Sequence, residues 1–221
     1  MRFFKVSGFF VTFEGTDGAG KTSVLQALET KLKKAKVDYL RTREPGGDPI
    51  AEKIRKVILD QEAVVMDPRT EALLYAAARR QHLVRTILPA LAQDKLVLCD
   101  RFVDSSLAYQ GAGRHLGVKE VAMINEFATD GLRPDLTIYL DIAPKLGLER
   151  IKQNRQDEVN RLDQEDLTFY EEIYQAYQEL ANHEPERIVK IDATKSLPEV
   201  IAQVEQVLAQ RIPAFLGKEV F

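Results

Sequence analysis

The chain has 221 residues, which suits one domain of generous size. Hydrophobic residues make up 45% and charged residues 29%, so it can bury a core, while a net charge of −3 argues against a long nucleic-acid polymer as partner. The single cysteine, Cys99, excludes an intramolecular disulfide and suits a cytoplasmic setting, and no apolar run approaches the ~20 residues of a membrane span.

The opening segment, MRFFKVSGFFVTFE, is not read as a secretory leader. Lys5 interrupts it, and it ends in Glu14 with no small-residue cleavage site. Phe9–Glu14 reads instead as a buried first strand. Helical periodicity follows over Ser23–Lys34, with Leu25, Leu28 and Leu32 on one stripe. Asp38–Thr42 reads as a second strand. Asp67-Pro68 is a helix cap followed by proline at the first helical position, and it introduces a long helix over Arg69–Gln93. Lys95–Asp100, Asp135–Asp141 and Arg187–Asp192 are further strands, and Pro198–Arg211 is a last helix. Strands alternating with helices predict an α/β chain with a five-stranded parallel sheet flanked by helices, its strands nearly all apolar because both faces are covered. No repeat or Pro/Gly linker divides residues 1–221, so a single domain is expected.

Ligands of such sheets bind beyond the carboxyl ends of the strands. Gly15, Thr16, Asp17, Gly18, Ala19, Gly20, Lys21 and Thr22 match G-x-x-x-x-G-K-[ST] at such an end, between a strand and a helix. Glycines let successive backbone N–H groups point at phosphate oxygens, and the helix start adds its dipole. Lys21 can reach the β- and γ-phosphates of a nucleotide, and the Thr22 hydroxyl can bind Mg²⁺. Asp100 closes another apolar strand and can hold the same ion, directly or through water. Cys99, beside it, reads as a small buried hydrophobe. No guanine-reading Asn-Lys-x-Asp segment ends a later strand, which lowers the switch-GTPase reading.

Arg43, Arg55, Arg79, Arg80 and Arg101 are candidates for an anionic acceptor, with Arg43 and Arg101 favoured by their strand-end positions. Tyr75 and Arg79, four apart on one helix face, suit a base that stacks on a ring and accepts from a guanidinium. The alternative is a core tyrosine beside an arginine paired with an acid such as Glu71.

The segments FEGTDGAGKTS, TREPGG, RTEALLYAAARRQHL, CDRFVDSSLAYQG, GLRPDLTIYLD, NRLDQED and IDAT together resemble the thymidylate kinases of bacteria, in that family's order over nearly the whole chain. The resemblance implies a P-loop kinase fold with a small lid at about residues 151–162. It implies transfer of the γ-phosphoryl group of ATP-Mg²⁺ to dTMP, and a homodimer packed through helices, for which the alanine-rich face of Ala72, Ala76 and Ala77 is a candidate. It assigns Asp17 to the sugar 3′-hydroxyl, Arg55 and Arg101 to the acceptor phosphate, and Glu44 and Pro45 to the shape of that site. Tyr75 would stack on thymine, Arg79 would donate to its O4, and Ser106 and Gln110 would meet the base. Tyr109 would crowd the 2′ position. Arg150 would lie over adenine, bordered by Ala193 and Thr194. One branch of the family carries a catalytic arginine where this chain has Gly18. The other supplies that charge from the lid, where Arg155 and Arg161 are the candidates, Arg155 first. A kinase for another nucleotide or for a deoxynucleoside, and a P-loop switch or regulatory ATPase, are the competing readings.

Overall fold

A computed structural model describes residues 7–60, 66–154 and 166–213. Strands β1 (Phe9–Glu14), β2 (Tyr39–Arg43), β3 (Leu96–Asp100), β4 (Leu136–Asp141) and β5 (Ile188–Asp192) form one parallel sheet in the order β2-β3-β1-β4-β5. Each lies within one residue of its sequence-based bounds. The near-continuous apolar character expected of all of them fails at β2 (YLRTR). Among the described residues that strand pairs with β3 alone, and it is half-buried or exposed along its length.

The helices are α1 (Lys21–Lys34), α2 (Pro49–Leu59), α3 (Pro68–His82), α4 (Leu88–Leu91), α5 (Val103–Ser106), α6 (Val118–Thr129), α7 (Pro144–Asn154), α8 (Leu167–His183) and α9 (Leu197–Arg211). Asp67 caps α3 as its sequence suggests, accepting from the Thr70 N–H at 3.0 Å. The single helix expected over Arg69–Gln93 contains a wider π-helical stretch, Leu83–Ile87, between α3 and α4. Pro89 follows at once. It has no N–H to donate to the preceding turn, and the wider turn accommodates that break. A second π-helical stretch, Leu107–Gly113, continues α5.

Alternation along the strands sorts the core onto two faces. Val11, Phe13, Leu96, Leu98, Leu136, Ile138 and Leu140 pack against Leu25, Leu28 and Leu32 of α1 and Val200, Val204 and Leu208 of α9. On the other face Phe10, Val97 and Cys99 meet Leu83, Ile87 and Phe102, while Tyr139 meets Ile173 and Tyr177 of α8. Each such side chain contributes roughly 1.5–3 kcal/mol by leaving water. Cys99 is part of this packing, and burial pushes its thiol pKa up, so it stays an inert thiol. Parallel register sets Arg43 beside Asp100 and Asp100 beside Phe13, which gathers the carboxyl ends of β2, β3 and β1 at one edge.

Candidate active site

The loop after β1 turns through glycines with positive φ, 78° at Gly18 and 94° at Gly20. A Cβ on Gly18 would run into the carbonyl of Gly147 in α7, so this position excludes a side chain by contact as well as by backbone. Lys21 opens α1 and curls back, donating to the carbonyls of Gly15 at 3.0 Å and Thr16 at 2.9 Å. Burial, followed by the charge of Arg101, lowers its pKa to about 8. The Thr22 hydroxyl donates to Asp100 Oδ2 at 3.4 Å. A hydroxyl and a carboxylate side by side are the hard oxygen donors that Mg²⁺ takes, with water and phosphate completing its shell. The described residues hold no group of three or more His, Cys, Asp or Glu suited to a metal.

Beyond β3 the chain reverses at Arg101, whose φ is 70°. Its guanidinium donates to Asp17 Oδ1 at 2.9 Å, Tyr109 Oη at 3.1 Å and Ser105 Oγ at 3.0 Å. Tyr109 donates to Asp17 Oδ2 at 3.2 Å, which closes a ring of three side chains. Burial alone would raise the Asp17 pKa. The charges of Arg101 and Lys21 and the bonds from Arg101 and Tyr109 outweigh it and hold the carboxyl at about 2. Behind this ring stands Glu14, fully buried, which accepts from the Phe102 N–H at 2.7 Å, Ser105 Oγ at 2.5 Å and Tyr177 Oη at 2.9 Å. Burial, then the charge of Asp104, raises its pKa. Sequence reasoning passed over Glu14, Ser105 and Tyr177. The one available signal was an acid ending an otherwise apolar strand.

Arg79 is 2% exposed and donates from all three of its nitrogens. Its Nε donates to Glu44 Oε2 at 2.7 Å, its Nη1 to Ser106 Oγ at 3.0 Å and to Asn125 Oδ1, and its Nη2 to the Phe102 carbonyl at 2.9 Å. The alternative pairing with Glu71 does not form, because Glu44 takes the guanidinium and Glu71 accepts from Gln110 Nε2 at 2.8 Å. Glu44 also meets His82 Nδ1 at 3.0 Å, and His82 Nε2 lies 2.7 Å from Thr42 Oγ1. Glu44 thus shapes the site through its partners. Arg55 donates to the Pro45 carbonyl at 3.0 Å. Arg43 pairs with Glu52 at 2.7 Å on an exposed edge, and Arg80 turns away to the Ala128 carbonyl at 3.3 Å. Of the alanines suggested for close approach in a helix-packed dimer, Ala72 and Ala76 are buried within the chain itself and Ala77 is exposed. Leu73 of α3 and Met123 and Phe127 of α6 are large apolar side chains that stay exposed.

One cavity of about 980 Å³ joins these parts. Residues 17–22, Asp100 and Arg101 line its middle. Arg43, Glu44, Pro45, Arg55, Tyr75, Arg79, Ser106, Tyr109 and Gln110 line one end, and Arg150 and Ala193 line the other. Arg150 donates to the Ala193 carbonyl at 2.9 Å. Gly15 and Thr16 contribute through the carbonyls that hold Lys21. Thr194 does not line the cavity, and its N–H and hydroxyl turn to Asp192 at 3.0 and 2.5 Å. Arg155 and Arg161, with most of the expected lid, lie outside the described residues.

A family model described as thymidylate kinase matches residues 13–204. A thymidylate kinase of Latilactobacillus sakei is 59% identical over 92% of this chain and 95% of its own length. One from Enterococcus faecalis is 57% identical over 94% of this chain and 99% of its own. Among solved structures, a thymidylate kinase from Ehrlichia chaffeensis superposes with a TM-score of 0.72 at 30% identity, covering 91% of this chain and 98% of that one.

Proposed function

Since the chain belongs to the thymidylate kinase family, we propose that its cavity seats ATP and dTMP end to end, with their phosphates meeting between Lys21 and Arg101. The enzyme transfers the γ-phosphoryl group of ATP to dTMP, giving dTDP and ADP, a step in dTTP synthesis. The observation that carries the placement is the continuity of the cavity, with the glycine loop at its middle and differently equipped ends.

In this reading the loop N–H groups and Lys21 hold the β- and γ-phosphates, and Lys21 exchanges its carbonyl partners for phosphate oxygens. Thr22 and Asp100 would hold Mg²⁺, which would supply charge neutralisation at those oxygens. Arg101 and Arg55 take the acceptor phosphate. Asp17 accepts from the sugar 3′-hydroxyl, and Tyr75, Arg79, Ser106 and Gln110 take the base. Arg150 and the backbone at Ala193 and Thr194 border adenine. A phosphate monoester dianion is already nucleophilic, so the site needs no general base. Positioning and electrostatics carry the reaction, with Arg155 or Arg161 completing the charge from the lid.

No helix among the described residues is long and apolar enough to cross a membrane. We assign the enzyme to the cytoplasm, as one domain over residues 1–221. We also assign a homodimer packed through helices, for which exposed Leu73, Met123 and Phe127 supply the apolar surface. A coupled ADP assay against a panel of nucleoside monophosphates tests the reading. ADP should form in proportion to added dTMP, and equal turnover without an acceptor would overturn it.

A further inference from the structure

We propose that Glu71 is a positioning residue for base selection, acting by fixing which end of the Gln110 amide faces the cavity. This rests on the placement of the acceptor base against Tyr75, Arg79 and Gln110. Glu71, Tyr75 and Arg79 repeat at one-turn intervals on α3, and Ser106 and Gln110 do so on the helical stretch that faces it. Two rungs join the stripes. Arg79 donates to Ser106 Oγ at 3.0 Å, and Gln110 Nε2 donates to Glu71 Oε1 at 2.8 Å. Tyr75 falls between the rungs in sequence and lines the cavity with Arg79 and Gln110.

A carboxylate only accepts, so Glu71 commits the amide nitrogen of Gln110. The amide oxygen accepts from no described residue, and it is not among the buried atoms sealed without a partner. It is the end left to the cavity. An acceptor there matches a ring N–H, which thymine and uracil carry at N3 and cytosine lacks. The Arg79 donors match the adjacent O4 carbonyl and oppose an amino group. The rungs therefore read neighbouring base atoms with opposite polarity. Glu71 is 1% exposed, and Arg114 Nη2 stands 3.5 Å from its Oε2. That cation favours an acceptor on its side of residue 71, whatever the residue is.

Glu71→Gln tests the idea at constant shape. The new amide points its oxygen at Arg114 and its nitrogen at Gln110, which forces the Gln110 amide over and turns its N–H₂ into the cavity. The kcat/KM for dTMP should then fall on the order of ten- to a hundredfold, the cost of an unmatched buried group. The value for dCMP, whose N3 accepts, should hold or rise, so the dTMP:dCMP ratio drops at least about tenfold. On a Gln110→Leu background Glu71→Gln should leave the ratio where Gln110→Leu put it. An unchanged ratio in folded Glu71→Gln overturns the proposal. So does an equal loss of ratio in Arg114→Met, which leaves the Glu71–Gln110 contact in place. If Gln110→Leu itself leaves the dTMP kcat/KM unchanged, the base placement fails, and the proposal with it.

Discussion

The guanidinium of Arg101 stands 2.9 Å from the carboxylate of Asp17, across 84 residues of chain. The contact ties the carboxyl end of β3 to the glycine loop. It also holds Asp17 in place with the same cation that is proposed to meet the acceptor phosphate. A lysine keeps the charge and loses the fork. In Arg101→Lys the bonds to Asp17, Tyr109 and Ser105 cannot all persist. The kcat/KM for dTMP should fall roughly 10- to 150-fold, the range of charge-assisted bonds, while the KM for ATP stays within a few-fold. Initial rates at saturating ATP measure this, and a change under threefold would sink the role.

Asp17 also gives the fold a pH signature. Its carboxyl titrates at 3.8 when unperturbed and at about 2 in the folded chain. The ionised form is therefore favoured by folding. That stability is present in full above the unfolded value and is lost as pH falls through about 2. Nearly two pKa units correspond to on the order of 2 kcal/mol. The gap in unfolding free energy between wild type and Asp17→Asn should be largest near neutrality and narrow below pH 4 or so. Glu14, raised by burial, works in the opposite sense, so Glu14→Gln should not show this narrowing. Urea unfolding followed by circular dichroism across that range decides it. A constant gap for Asp17→Asn would contradict the assignment.

Lys21 makes its hydrogen bonds to two loop carbonyls, both in its own neighbourhood of sequence. Removing it leaves the core untouched. Lys21→Ala should abolish transfer, because it removes charge at the phosphates, and should shift the melting temperature by only a few degrees. Wild-type turnover in a folded Lys21→Ala enzyme would refute the loop's role.

Gly18 cannot supply a catalytic charge, and the structure gives a reason beyond its lack of a side chain. Any Cβ there meets the backbone of Gly147. In the proposed mechanism that charge comes from the lid segment, and Arg155 is the first choice. Arg155→Ala should lower kcat by about 10³–10⁵ with little effect on dTMP binding. Adding Gly18→Arg to it should rescue nothing, since α7 blocks the side chain. Should Arg161→Ala collapse instead while Arg155→Ala stays within a few-fold, the role passes to Arg161.

Much of this was legible beforehand, for physical reasons that also mark where legibility ends. The strands could be bounded to a residue because buried parallel strands are apolar runs cut off by charges, as Phe9–Glu14 and Leu136–Asp141 are. The glycine loop was legible because its backbone admits little else at Gly18 and Gly20. The pairing of Arg79 with Glu44 spans 35 residues, and no local spacing announces it. Glu14 was passed over as the last residue of a buried strand, because sequence does not say that Ser105 and Tyr177 will meet its carboxylate. The spacing of Ala72 and Ala76 signals close approach of a neighbour, and nothing in that spacing says whether the neighbour is another copy or the chain itself. It is the chain itself.

The last prediction concerns ribose. Tyr109 is 4% exposed, lines the cavity and has its ring edge-on to Phe169 at 6.2 Å between centroids. Packing therefore fixes the ring, and a fixed ring can reject a 2′-hydroxyl by bulk. Its own hydroxyl is occupied, accepting from Arg101 at 3.1 Å and donating to Asp17 at 3.2 Å. The two functions separate on substitution. Tyr109→Phe keeps the ring and removes both bonds, so kcat/KM should fall by a similar factor for dUMP and UMP, roughly tenfold for the loss of a charge-assisted contact. The dUMP:UMP ratio should stay within about twofold of wild type, since the bulk is unchanged. Tyr109→Ala opens the space and should raise UMP relative to dUMP by about tenfold, even as both fall. Two specificity constants per variant, kcat/KM for dUMP and for UMP, taken at one pH and one Mg²⁺ concentration, distinguish the cases. If Tyr109→Phe alone erases the preference for the deoxy sugar, the hydroxyl and its ring with Arg101 and Asp17 carry the discrimination, and bulk does not.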